Sequence, residues 1–98
     1  MNKEKAALLE CAQERLACLR EAREKDTGDP RAPLQVEDMW FRREYLADME
    51  ETLRKIVDGQ DVDYVELYRS ISLEMLANSR GWNNLRYHAR RLTPDTAN

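Results

Sequence analysis

The sequence holds one histidine, two cysteines, three glycines and three prolines, and it has no long apolar run. Each shortage excludes a class of protein. A membrane-spanning helix needs about 18 consecutive apolar residues, which no stretch approaches. The opening segment, MNKEKAALLECAQERL, sets charges too close behind its one apolar cluster to serve as a secretory leader. A cytoplasmic setting is therefore expected, in a host cytoplasm if the chain is phage-encoded, with no membrane partner. The lone histidine, His88, rules out a two-histidine metal site. Arg86, Arg90 and Arg91 surround it in sequence, and nothing nearby orients it as a general base. Cys11 and Cys18 stand on what reads as one helix, separated by a rise of about 10 Å that no disulfide spans. They are expected as reduced, small apolar residues, with a cross-subunit bridge as the alternative.

The remaining chemistry is equally thin. Asp58, Asp61 and Asp63 mimic the start of a calcium loop in DGQDVD, but the glycine and terminal glutamate of that loop do not match from either start. Helix capping explains them better. There is no phosphate-cradling glycine loop and no nucleophile elbow. The expectation is a protein that is not an enzyme and uses no metal and no cofactor.

What is present favours helix. Of 98 residues 36% are charged, and Leu, Ile, Val and Phe together number 19 with a net charge of only −3. That balance predicts one folded, helix-rich domain with a modest core. Charge is uneven: residues 1–77 carry 12 basic and 18 acidic side chains, whereas 78–98 carry four arginines against Asp95 alone.

The fold class expected is all-α: about four helices, a long antiparallel hairpin followed by two shorter C-terminal helices. The first helix covers 1–25, with a coiled-coil-like seam of Leu9, Ala12, Leu16 and Leu19 and with Leu8 beside it. Residues 26–33, rich in turn formers, make a linker in which trans prolines break the helix. The second helix, 34–57, is the expected organising element, since Met39, Leu46, Met49, Leu53 and Ile56 fall on one face. No β-alternation stands out. A capping box at Asp63 and Glu66 opens a third helix over 62–79, with Tyr64, Tyr68, Ile71 and Met75 inward, Leu67 and Leu76 flanking, and Gly81 as its stop. The fourth, 82–92, turns Trp82, Leu85, Ala89 and Leu92 to one side, and Pro94 closes it. Residues 93–98 form a loose tail.

Two stretches invite partners. In SRGWNNLRYHARRL, Arg86 and Arg90 share a helix face, with Tyr87, His88 and Arg91 beside them. Such residues anchor protein interfaces, hold phosphates and stack bases, or simply stay wet at a helix C-terminus. On the second helix, Trp40 and Phe41 point about 100° apart, so one of them can lie outside the seam, with Arg42 and Arg43 directly following. The candidate partner-binding residues are therefore Trp40, Phe41, Arg43, Trp82, Arg86, Tyr87, Arg90 and Arg91.

Ala77, Gly81 and Asn83 also resemble the small residue, turn glycine and helix opener of a DNA-binding helix-turn-helix over about twenty residues. The pattern departs at Arg80 and Arg90, where apolar residues belong. In size and all-helical make-up, across the whole chain, the protein resembles small phage-encoded inhibitors of host nucleases, the anti-exonuclease V group. That resemblance implies docking on a host nuclease or helicase complex without chemistry of its own. The primary expectation is thus a protein-binding modulator. The alternatives are a DNA-binding regulator using the last helix and dimerised by a zipper through Leu9–Leu19 of the first, or a structural homo-oligomer built on the first two helices; a homodimer through the first helix is thus an expected partner state.

Overall fold

Strong helix formers from Lys3 onward give a first helix, α1 (Lys3–Glu24), of 22 residues. The computed structural model describes residues 3–74 and 79–93. After α1 come β1 (Leu34–Val36), β2 (Met39–Phe41), α2 (Arg43–Val57), α3 (Tyr64–Glu74) and α4 (Arg80–Arg91). The protein is essentially all-α, as its periodicity predicts, with one small antiparallel hairpin added. No helix among the described residues is long and apolar enough to cross a membrane.

Side-chain pairs fix the course of the helices. Asp26 meets Arg43 and Arg23 meets Glu50, so α2 runs antiparallel to α1. Glu4 meets His88 and Arg91 while Arg15 lies over Trp82, so α4 is antiparallel to α1 as well. Ser72 with Arg86 and Tyr68 with Arg90 give α3 and α4 the same relation.

The organising element is α1 rather than the stretch 39–57, because α2, α4 and β1 all lie against it. Its buried stripe is Leu8, Ala12, Leu16, Leu19 and Ala22, with Leu9 only half-buried. Ala12 and Ala89 are completely enclosed and let α1 and α4 approach closely. This stripe is consumed inside the monomer, which removes the expected zipper between two first helices. Leu46, Met49, Leu53 and Ile56 of α2, Leu67 and Ile71 of α3, and Trp82 and Leu85 of α4 complete the core. Each such aliphatic side chain contributes about 2 kcal/mol by leaving water.

The largest correction lies at residues 34–41. They form a β-hairpin, and α2 begins nine residues later than the helical pattern suggested. Leu34 pairs with Phe41, Gln35 with Trp40 and Val36 with Met39. Pro33 biases Ala32 away from helix, and the inner face then alternates: Leu34, Val36 and Phe41 are buried, while Gln35 and Trp40 face out. The turn is Glu37-Asp38, and Glu37 takes a left-handed φ of +57°, a place usually given to Gly or Asn. Its carboxylate oxygen accepts from Arg15 Nη1 at 2.9 Å and from Ser79 Oγ at 3.1 Å, so tertiary contacts hold the turn.

The other boundaries follow local rules. Gly59, at φ +80°, ends α2 as a Schellman cap: Gly59 N–H donates to Ile56 O and Gln60 N–H to Lys55 O. Asp63 accepts from Glu66 N–H at 3.1 Å, the capping contact expected ahead of α3. The described part of α3 closes at Glu74; Met75, Leu76, Ala77 and residues 94–98 lie outside the described residues, while Thr93, expected in the tail, donates from N–H to Arg90 O and from its hydroxyl to Ala89 O. Gly81 is no helix stop. It sits in the first turn of α4, where the Arg15 guanidinium occupies the space a Cβ would need. The turn glycine of a helix-turn-helix is therefore inside a helix here, and Asn83 does not open one.

Candidate partner-binding site on α3 and α4

Because α3 and α4 are antiparallel, Tyr68 and Ser72 of one face Arg86 and Arg90 of the other. The Arg86 guanidinium lies 5.3 Å from the centre of the Tyr68 ring and that of Arg90 lies 5.6 Å from it. Two cations thus share one aromatic ring. Ser72 Oγ donates to Tyr68 O at 2.9 Å, and Arg86 Nη1 approaches the same hydroxyl at 3.4 Å. Among the described residues Arg86 Nε is buried without a partner, and no carboxylate pairs with Arg86 or Arg90. Like charges four residues apart on one helix cost about 0.2–0.5 kcal/mol. Cation–π contacts offset this by about 0.5–1 kcal/mol each.

A second layer adjoins it. Tyr87 is 55% exposed, stands edge-on to His88 at 5.2 Å and takes Arg91 over its ring at 5.9 Å. Glu4, from the first turn of α1, accepts from Arg91 Nε at 3.0 Å and meets His88 Nδ1 at 3.2 Å. The His88 hydrogen bond, aided by the charge of Arg91, holds Glu4 below the ordinary carboxylate range despite partial burial. His88 is thus tethered to α1 rather than surrounded by arginine alone.

The remaining candidates scatter. Trp82 is only 2% exposed, and Phe41 is buried on the inner face of the hairpin, so neither is a surface anchor. Their burial follows from the inward face of α4 and from the strand alternation. Arg43 is also spoken for: its guanidinium clamps both Asp26 oxygens at 2.6 and 2.8 Å, and its Nε donates to Ala32 O at 2.7 Å. That clamp and the Gly28 N–H lower Asp26 to about 2. Trp40 is 63% exposed and stands at the rim of a groove of about 400 Å³ formed by α1, the linker and the hairpin.

Sequence reasoning missed Tyr68, which it placed among core residues, and Ser72; only the pairing of α3 with α4 brings them to the arginines. Among the described residues no three His, Cys, Asp or Glu side chains gather to hold a metal ion. Burial pushes the thiols of Cys11 and Cys18 up, and both are unbridged. What the face offers is a pair of guanidiniums, a phenol ring and a hydroxyl, a set suited to holding an oxyanion. No family model, curated protein or solved structure matches the chain.

Proposed function

We propose that the protein is a non-catalytic, cytoplasmic binding protein that engages another protein through Tyr68, Arg86, Tyr87 and Arg90. The observation that carries this reading is the pair of guanidiniums over Tyr68, unpaired with any carboxylate among the described residues. An acidic side chain of a partner relieves the repulsion between them. Arg and Tyr are also the residues in which interface energy concentrates. The resemblance in size and make-up suggests a host nucleic-acid-processing enzyme as that partner, with this chain as its inhibitor. Direct binding of nucleic acid is the second reading; Arg86, Arg90 and Arg91 favour it, but the acidic remainder of the chain opposes an extended phosphate track.

The test is capture from a bacterial lysate, with and without nuclease treatment, comparing wild type with the Arg86→Gln/Arg90→Gln variant. A partner that survives nuclease treatment and is lost with the variant supports the proposal. Equal recovery by both proteins overturns it. Duplex binding that falls steeply with salt would shift the reading to nucleic acid.

A further inference from the structure

Arg86 and Arg90 differ from their neighbour Arg91 in what offsets their charge. Arg91 gives its Nε to Glu4, the carboxylate that also meets His88. Among the described residues Arg86 and Arg90 meet no carboxylate; both lie on the Tyr68 ring, and Arg86 reaches the Ser72 hydroxyl besides. That last contact, 3.4 Å from Arg86 Nη1 to Ser72 Oγ, is long for an N–H···O bond. The hydroxyl has already given its own proton to Tyr68 O. An oxyanion arriving at Arg86 Nη1 therefore displaces only a weak partner.

The amount of charge selects among oxyanions. Two full positive charges stand one helical turn apart, a rise of about 6 Å. A planar carboxylate pairs edge-on with one guanidinium and brings a single negative charge, so the second cation stays uncompensated. A phosphodiester also brings one charge per phosphate. A phosphomonoester carries about −1.5 to −2 at pH 7 on three strong acceptor oxygens. Its tetrahedral shape turns those oxygens toward both guanidiniums at once. Arg90 is exposed and open to such a group, while the half-burial of Arg86 and Tyr68 limits screening by salt.

We propose that the Tyr68–Arg86–Arg90 face is a receptor for a phosphomonoester dianion, presented as a phosphorylated side chain of the protein partner. This rests on the protein-binding reading above and names the group that is recognised. Arg86 and Arg90 hold the oxygens, and Tyr68 keeps the two cations together before the ligand arrives.

Titration of the full chain at about pH 7.5, followed through the arginine Nε–Hε resonances, tests it with three probes: methyl phosphate, dimethyl phosphate and acetate. Methyl phosphate is expected to saturate at Arg86 and Arg90 and to bind at least about tenfold tighter than either monoanion. Arg86→Gln and Arg90→Gln should each weaken it about tenfold. Arg20→Gln, an exposed change on α1, removes the same charge and should leave binding unchanged; backbone amide spectra confirm that every variant stays folded. No saturation by methyl phosphate overturns the proposal, as does equal affinity for acetate or dimethyl phosphate, or indifference to both site variants. Equal affinity for acetate leaves the protein-binding reading standing, since that reading asks only for an acidic group. A partner captured from lysate should likewise be lost after phosphatase treatment. One that survives phosphatase yet is lost with Arg86→Gln/Arg90→Gln overturns the phosphate and keeps the protein partner.

Discussion

Arg43 and Arg86 are both half-buried, yet they are satisfied in opposite ways. Arg43 spends its guanidinium on Asp26 and on the Ala32 carbonyl, tying the linker to the start of α2. Arg86 rests on Tyr68 beside a second cation and leaves Nε without a partner among the described residues. An arginine closed by its own chain is structural; one parked on a ring keeps its charge for something arriving from outside. Sequence position did not distinguish them, since both stand within four residues of a tryptophan and both looked like candidate contacts.

The contrast can be broken experimentally, and the largest effect is in binding. Arg86→Gln/Arg90→Gln should weaken partner capture by about 100-fold, the cost of removing charges that meet acidic groups in an interface, with thermal unfolding little changed. A large loss of stability in that variant would make the pair structural instead. Next, Glu50 is buried under Arg23 at 2.6 Å and Arg54 at 2.8 Å. Glu50→Ala should cost about 1–2 kcal/mol in urea unfolding, because both arginines can turn to water once it is gone. Capture should be untouched.

Two smaller effects sharpen the comparison. Asp26 titrates near 2 in the folded chain against an ordinary 3.8. Its contribution to stability is full above about pH 4 and is lost as pH falls from there toward 2. Arg43→Ala should lower the urea midpoint at neutral pH and flatten that part of the pH profile, again without affecting capture. Tyr68→Leu keeps apolar bulk but removes the ring, and should cost at most about 1 kcal/mol while loosening binding through the freed arginines.

The helices were legible because their signal is local. Leu46, Met49, Leu53 and Ile56, or Trp82, Leu85 and Ala89, need only the 3.6-residue repeat to declare a face. The hairpin was not, although Leu34-Gln35-Val36 alternates. Met39 fitted the helical stripe of α2 equally well, and Glu37-Asp38 carries no turn signature. What stabilises that turn comes from Arg15 and Ser79, 22 and 42 positions away, beyond any window of sequence. The arginines of the candidate site were likewise visible as a basic cluster, whereas Tyr68 became their platform only through helix packing. Trp82 was misassigned because a tryptophan next to arginines suits an interface as well as a core.

The Glu37 carboxylate has a dynamic consequence. A single oxygen receives Arg15 and Cys18 of α1 and the serine just ahead of α4. Peeling the hairpin away therefore strips the first turn of α4 of its anchor at the same moment. Amide hydrogen exchange should find these two segments, far apart along the chain, opening as one cooperative unit with a shared protection factor.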